Sequence, residues 1–306
     1  MSKALLFSGQ GSQYVGMTND LVQAYDAARA MADKANDILG YDLHAIMTGG
    51  PEDELRKTKY TQPALFVHEA MLLALTSING VTAVAGHSLG EYSALHAAGV
   101  LTFDDALGLV QLRAQLMWDA GNNIPGTMAA VVGMDDDKVR EVCEELNGVG
   151  GNVIVPANFN SPGQVVISGS AEYVRACMPV FKERGAKLVK ELQVSGAFHS
   201  PLLAEAEQGL AEKIRATTFS APKIPVYVNV SGKAVSNADE LKECAIKQLT
   251  SPVLWTSTMN TMWADGITSY CEVGPGKVLQ GLVKRTLAEA TIDGIDTAED
   301  VARHNG

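Results

Sequence analysis

The stretch that decides the fold is residues 84–95, Val-Ala-Gly-His-Ser-Leu-Gly-Glu-Tyr-Ser-Ala-Leu. Its centre, Gly86-His-Ser88-Leu-Gly90, has the G-x-S-x-G form of a nucleophile elbow, a sharp turn between a buried strand and a helix. Apolar residues precede it and helix-forming residues follow it, as this turn requires. Glycines on either side let the strand and the helix approach closely and project the Ser88 hydroxyl outward. Because a chain with 29 glycines can contain the pattern by chance, the pentapeptide alone leaves the nucleophile an open question.

The first strand is followed by a second glycine-containing loop. Residues 4–7, Ala-Leu-Leu-Phe, predict a short buried strand, and residues 8–13, Ser-Gly-Gln-Gly-Ser-Gln, form a loop whose backbone N–H groups can approach a ligand. A dinucleotide-binding loop is excluded, because Tyr14 stands where G-x-G-x-x-G requires its third glycine.

Composition limits the class of protein. With 306 residues, 46% of them hydrophobic and 19% charged, the chain is typical of a globular protein with one large core and a second, smaller one. A net charge of −11 argues against broad affinity for nucleic acids or anionic membranes. No run of apolar residues approaches the roughly 18 that a membrane span needs, and the apolar run near the start of the chain is too short for a secretory signal. We therefore expect a cytoplasmic location. The four cysteines are far apart and form no C-x-x-C pair, so they predict neither a disulfide framework nor a metal site.

The order of elements predicts an inserted subdomain. Residues 126–194 follow the pattern βαββαβ, which is typical of a ferredoxin-like fold, and we expect this unit to interrupt a larger one made of residues 1–125 and 195–306. In the larger unit we predict a helix over 20–39 and a buried helix over 64–78, with Pro63 in its first turn.

One arginine lies in an apolar stripe. Ala106, Leu109, Val110 and Met117 recur at helical spacing, and Arg113 falls among them. A buried arginine needs a partner, so either an internal ion pair or a carboxylate-bearing ligand is expected here. The residues alone leave these two alternatives open.

His199 is the best candidate base among the six histidines. It stands at the boundary of an element, just before Pro201. His68 lies on a buried helix, where a packed histidine is the more common reading, and His87 should point away from the elbow. The rest are His44, His96 and His304, and none has a special setting.

Seven motifs together resemble the malonyl-CoA:acyl carrier protein transacylase family. They occur in the family's order over nearly the whole chain, and this order is specific although each motif alone is a weak signal. The motifs are Gly9-Gln-Gly-Ser-Gln13, Thr61-Gln-Pro-Ala64, Gly86-His-Ser-Leu-Gly90, Gln111-Leu-Arg113, Asn158-Phe-Asn-Ser-Pro162, Gly196-Ala-Phe-His199 and Glu272-Val-Gly-Pro-Gly276. The resemblance implies an α/β fold, with an α/β-hydrolase-like large subdomain and a ferredoxin-like insertion. It also implies malonyl transfer to a carrier protein by a ping-pong mechanism, with malonyl-CoA as donor and no bound cofactor or metal.

The resemblance also implies roles for individual residues. Ser88 would be the acylated nucleophile and His199 the general base. The main-chain carbonyl of Gln248 would orient the histidine, so that the pair is a dyad. The backbone N–H groups of Gln10 and Leu89 would form the oxyanion hole.

Arg113 would bind the malonyl carboxylate in an acyl pocket. Met117, Asn158 and Phe198 are candidates for lining that pocket. Phe198 and Leu89 resemble the malonyl-selective members of the family. The chain departs from the family pattern at Ser8, where proline is usual, and at His68, where a small residue is usual.

The implied partner is an acyl carrier protein, which is acidic and carries a phosphopantetheine arm. A basic run on the insertion is a candidate docking patch, although such a run is more commonly a solvated face. The run comprises Lys182, Arg184, Lys187 and Lys190, with Lys277 and Lys284 as further candidates. The alternatives are a trans-acting acyltransferase of polyketide synthesis, a serine thioesterase or esterase on the same elbow, and a scaffold module with a vestigial elbow.

Overall fold

The computed structural model describes residues 2–306, which form two β-sheets and the helices that cover them. The strands are β1 (Ser2–Phe7), β2 (Val81–Gly86), β3 (Gly126–Val132), β4 (Ile154–Ser161), β5 (Gln164–Ser170), β6 (Leu188–Glu191), β7 (Val226–Tyr227), β8 (Ala234–Val235), β9 (Ile267–Val273) and β10 (Thr291–Ile295).

The helices surround both sheets, and in residues 2–306 none is long and apolar enough to cross a bilayer. They are α1 (Asn19–Ala24), α2 (Asp26–Leu39), α3 (Leu43–Gly49), α4 (Glu52–Leu55), α5 (Thr58–Leu75), α6 (Gly90–Ala97), α7 (Phe103–Asn123), α8 (Asp136–Leu146), α9 (Ala171–Glu183), α10 (Ala204–Ala216), α11 (Ala238–Lys247), α12 (Trp255–Ala264), α13 (Val278–Thr286) and α14 (Ala298–Asn305). Short 3₁₀ turns cover Val149–Gly151 and Pro201–Leu203.

The larger sheet brings the loops that follow β1, β2 and β9 together at the carboxyl ends of its parallel strands. Its strand order is β10-β9-β1-β2-β7-β8, and every neighbouring pair is parallel except β7 with β8. Phe7, at the end of β1, pairs with Gly86 on one side and with Val273 on the other. The loop after β1 therefore emerges beside the elbow after β2, which is the edge where parallel sheets place their ligand sites.

The smaller sheet is the ferredoxin-like insertion that the sequence predicts. Its order is β4-β5-β3-β6, all neighbours antiparallel, and α8 and α9 pack against it. The apolar faces of these helices and strands form a separate core, which includes Val139, Phe159 and Phe181. The exact division of the chain at residues 126 and 194 stays a prediction.

The elbow has the tight packing that its glycines predict. A Cβ added at Gly86 would lie 1.9 Å from the Gly90 carbonyl carbon, and one added at Gly90 would lie 2.2 Å from the Phe7 oxygen. Between them Ser88 has a left-handed backbone, with φ of 53°. Helix α6 begins two residues later, at Gly90.

Two predicted helices differ from the structure. The helix over 20–39 is interrupted at Tyr25, whose extended backbone separates α1 from α2. Pro63 is not in a first turn, because α5 begins at Thr58 and ends at Leu75. Pro63 therefore lies in the second turn, where its missing N–H leaves one main-chain hydrogen bond of the helix unmade.

Candidate active site

Ser88 and His199 form a hydrogen-bonded pair at the edge of the large sheet. Ser88 Oγ lies 2.8 Å from His199 Nε2, and the two residues are 111 positions apart in sequence. His199 is 3% exposed and, like Ser88, has a left-handed backbone, with φ of 54°. Both backbones are in an uncommon conformation for residues other than glycine, which is a recurrent property of residues at functional sites.

Main-chain carbonyl groups orient the imidazole ring. His199 Nδ1 lies 3.0 Å from the Gln248 oxygen and 3.1 Å from the Ser251 oxygen. Since a carbonyl only accepts hydrogen bonds, Nδ1 must carry the proton and Nε2 must be the acceptor that faces the Ser88 hydroxyl. The geometry is that of a dyad, with carbonyl groups where a catalytic triad has a carboxylate.

Arg113 is completely buried beside this pair. Its guanidinium donates to Gln62 Oε1 at 2.6 Å, to Gln248 Oε1 at 3.1 Å and to Ser88 Oγ at 3.0 Å. Within residues 2–306 it forms no salt bridge, and its Nε has no hydrogen-bond partner. Of the two alternatives left open by the sequence, the internal ion pair is therefore absent from the described part of the chain. The arrangement leaves a buried positive charge held by neutral amides.

Burial and this charge keep His199 neutral. Desolvation, as the larger cause, and the positive charge of Arg113 together lower the pKa of His199 to about 3, against the opposite effect of the two main-chain carbonyls. Burial also lowers the pKa of Arg113. The unprotonated imidazole is the form that can accept a proton from Ser88.

Three main-chain N–H groups near Ser88 differ in their partners. The N–H of Ser88 itself donates to Asn229 Oδ1 at 2.7 Å. In the described chain the N–H groups of Gln10 and Leu89 donate to no protein acceptor, and both residues line the cavity next to Ser88. Only these two remain free to bind a negatively charged oxygen.

The cavity beside Ser88 has a volume of about 160 Å³. The acyl-pocket candidates Met117, Asn158 and Phe198 line it, together with the apolar residues Met128, Val166, Leu192 and Val194. Leu192 and Val194 also line a wider groove of about 480 Å³ outside it, where Arg56, Lys57 and Arg175 lie. The candidate catalytic residues line the cavity, and Leu192 and Val194 separate the cavity from the groove.

Three polar residues of the site have no role in the sequence predictions. Gln62 holds Arg113, Ser251 contributes the second carbonyl to His199, and Asn229 binds the elbow. A glutamine in an apolar helix and an asparagine after an apolar strand are visible signals of buried polar roles. Ser251 carries no such signal, because only its main chain takes part.

The basic residues predicted as a docking patch lie away from the cavity. Arg184 is paired with Glu145 at 2.7 Å, and Lys284 donates to the Ala290 oxygen at 2.8 Å. Lys190 lies on the edge strand β6, whose first residue, Leu188, is 49% exposed. Lys182 lies in the last turn of α9, and Lys277 immediately precedes α13. None of the six residues lines the cavity beside Ser88.

Comparisons with known proteins agree with this geometry. Residues 4–304 match the model of the acyl transferase domain. The malonyl CoA-acyl carrier protein transacylase of Escherichia coli strain K12 is 42% identical over 302 residues, which cover 98% of this chain and 97% of that protein.

Two solved structures share the fold over essentially the whole chain. An acyl carrier protein S-malonyltransferase from Vibrio cholerae superposes with a TM-score of 0.93 at 39% identity, covering 99% of each chain. A malonyl-transacylase in complex with its type II PKS acyl-carrier protein has a TM-score of 0.93 at 37% identity, covering 100% of this chain and 99% of that one.

Proposed function

Because this chain belongs to the acyl transferase family, we propose that it transfers a malonyl group from malonyl-CoA to the phosphopantetheine thiol of an acyl carrier protein. The observation that carries the proposal is Arg113. It is a buried cation without a carboxylate partner among residues 2–306, 3.0 Å from the oxygen of a serine that is hydrogen-bonded to a neutral histidine. Such a site suits an acyl group that ends in a carboxylate.

In the first half-reaction, His199 Nε2 takes the hydroxyl proton of Ser88 as Oγ attacks the thioester carbonyl carbon. The carbonyl oxygen becomes negatively charged, and the N–H groups of Gln10 and Leu89, two residues that line the cavity, would donate to it. The carbon–sulfur bond then breaks, and the protonated His199 gives its proton to the departing CoA thiolate. Malonyl-Ser88 remains on the enzyme.

The second half-reaction repeats these steps in the opposite direction. His199 takes the proton of the phosphopantetheine thiol, and the thiolate attacks the ester carbonyl of malonyl-Ser88. The carbon–oxygen bond breaks, the proton returns to Ser88 Oγ, and malonyl carrier protein leaves.

Arg113 would bind the malonyl carboxylate through two parallel N–H groups. In the free protein one of these groups donates to Ser88 Oγ and to Gln248, which are neutral and can be exchanged for a charged acceptor. A thioesterase or esterase has no need of this cation, and a scaffold module has no need of the intact pair at Ser88 and His199. These alternatives are therefore disfavoured.

A trans-acting acyltransferase of polyketide synthesis is the second candidate. It would use the same residues and differ only in the carrier protein that it serves, and a malonyl-transacylase with a type II PKS carrier protein is among the similar structures. Transfer rates to the two classes of carrier protein distinguish them.

Acyl preference tests the role of Arg113. Arg113→Ala should reduce malonyl transfer by roughly 100-fold or more, because a charge-assisted pair is lost, while acetyl transfer changes little or improves. Arg113→Lys is the matched control, since it keeps the charge and loses the two-pronged geometry; it should retain part of the malonyl preference. An unchanged ratio of malonyl to acetyl transfer in Arg113→Ala would contradict the role.

We also propose that the basic run on the insertion contributes to carrier-protein docking. Lys187→Glu combined with Lys190→Glu should raise the KM for carrier protein and leave the KM for malonyl-CoA unchanged. Lys138→Glu with Lys213→Glu, on other elements, is the charge-matched control. Equal effects of the test pair on both substrates would count against docking. The cytoplasm remains the proposed compartment.

A further inference from the structure

Asn229 binds the elbow from the opposite side to the cavity. It lies two residues after β7 and is completely buried. Its Oδ1 accepts from the Ser88 N–H at 2.7 Å, and its Nδ2 donates to the Gly86 oxygen at 2.7 Å. Its side chain therefore spans the turn with one hydrogen bond on each side of His87.

The main chain of Asn229 is fixed as well. Its N–H donates to Glu91 Oε2 at 2.6 Å, and its carbonyl accepts from the Leu254 N–H at 3.0 Å. Glu91 is 1% exposed and lies on the first turn of α6, the helix that the elbow begins. Asn229 thus joins the end of β2, the strained turn and the first turn of α6 through bonds to three different residues.

This arrangement matters for Ser88 in two ways. A left-handed backbone at a residue with a side chain persists only where the surroundings fix it, and Asn229 binds the N–H of that residue and the carbonyl two positions before it. The same bond also occupies the Ser88 N–H, so that group cannot turn toward the reacting carbonyl.

We propose that Asn229 is a positioning residue for the nucleophile, which fixes the main chain of Ser88 and thereby leaves the N–H groups of Leu89 and Gln10 to bind the oxyanion. The proposal rests on the proposed function, because it takes Ser88 as the acylated residue. Asn229 acts through Ser88 and does not line the cavity.

The test is the rate of Ser88 acylation in Asn229→Ala. A reacting oxygen displaced by about 1 Å loses roughly 100-fold in rate. At saturating malonyl-CoA, quenched-flow mass spectrometry should show acylation slowed by about that factor, with the KM for malonyl-CoA changed by less than about threefold, because Arg113 keeps its bonds to Gln62 and Gln248. Asn147→Ala is the control, since it removes a side-chain bond to the main chain, here to the Ile154 N–H, within the insertion. It should acylate at the wild-type rate.

Asn229→Asp gives a readout that a purely structural role would not change. A protonated aspartic acid can accept from the Ser88 N–H and donate to the Gly86 oxygen, as asparagine does, but an aspartate cannot donate. The acylation rate of Asn229→Asp relative to wild type should therefore rise at least tenfold as the pH falls from about 8 to about 5.

The surrounding charged groups are the same in both proteins. Glu91, on α6, has a pKa raised to about 7 by burial and titrates in this range, while His199 and His87 both have lowered pKa values and Arg113, on α7, stays charged. Taking the ratio to wild type at each pH removes their shared contribution.

The outcomes separate this proposal from the function on which it rests. If wild-type protein forms no malonyl adduct, the proposed function fails. If wild type is acylated and Asn229→Ala reacts at the same rate, or if the Asn229→Asp ratio is independent of pH, the positioning role is overturned. Should Asn229→Ala not fold, as judged by its thermal transition, the Asn229→Asp ratio decides alone.

Discussion

Replacing Arg113 with glutamine should make His199 a stronger base. The guanidinium donates to Ser88 Oγ at 3.0 Å, and that oxygen is 2.8 Å from His199 Nε2, so the two side chains meet at one atom. Protonating His199 therefore creates a second positive charge beside the first, in a site where both residues are buried. Glutamine keeps a hydrogen-bonding amide at position 113 and removes the charge.

The size of the effect follows from the distance between the two charges. The nitrogen atoms that carry them are at most about 6 Å apart, and at an effective dielectric constant of about 20 two unit charges at that distance repel by about 3 kcal/mol. This energy corresponds to about a hundredfold in the proton-binding constant of His199. Burial still opposes the charged form, so His199 should stay less basic than a histidine in water.

Inactivation of Ser88 by methanesulfonyl fluoride measures this change, because the reagent is small, uncharged and needs an unprotonated base. In wild type the inactivation rate should stay constant as the pH falls toward about 3, the pKa of His199. In Arg113→Gln the pKa is higher, so protonation begins earlier and the rate should fall at a higher pH. Brief pH jumps from neutral solution keep the protein folded during the measurement.

Arg140→Gln is the control, since it removes a cation that lies over the Phe159 ring in the insertion. Its acid limb should coincide with that of wild type. If the acid limbs of Arg113→Gln and wild type also coincide, Arg113 does not set the basicity of His199 and the electrostatic reasoning is refuted.

Two further predictions concern stability. Gly90→Ala places a Cβ 2.2 Å from the Phe7 oxygen and should lower the free energy of unfolding, measured by urea titration, by about 3 kcal/mol or more. Gly281→Ala, whose Cβ meets no atom within 4 Å, is the control and should be neutral or stabilising. Equal midpoints for the two variants would contradict the close packing of the elbow. Burial raises the pKa of Glu69 from 4.5 to about 8, so its neutral form favours the native state below pH 4.5 and this contribution is lost as the pH rises through 8. Glu69→Gln should accordingly gain in Tm over wild type from pH 5 to pH 9, and a difference that is constant with pH would refute the raised pKa.

The parts of the fold that could be predicted are those determined by residues close together in the sequence. The elbow is specified within five residues, because Gly86 and Gly90 are both needed for close packing. The βαββαβ order of the insertion follows from alternating short patterns. The sequence predicts the position of Pro63 in its helix wrongly, because a proline near a helix start does not say how many residues precede it in the helix.

The parts that could not be predicted depend on contacts between distant residues. Asn229 meets Ser88 across 141 positions, and Ser251 meets His199 through a main-chain oxygen that any residue type would supply. The neutral partners of Arg113 likewise come from α5, from the elbow and from the end of α11, so the choice between an ion pair and a ligand could not be made from its own helix. The resemblance to the family supplied Gln10, Leu89 and Gln248, whose proposed roles are also carried by main-chain atoms.

The most direct test of the account is the fate of the malonyl group on Ser88. Intact-protein mass spectrometry after mixing with malonyl-CoA should show a malonyl adduct in wild type and none in Ser88→Ala. Adding phosphopantetheinylated acyl carrier protein should then move the group to the carrier much faster than it is lost to water. An adduct that decays to malonate at the same rate with or without the carrier, or no adduct in the wild type, would contradict the assignment as a malonyl transferase.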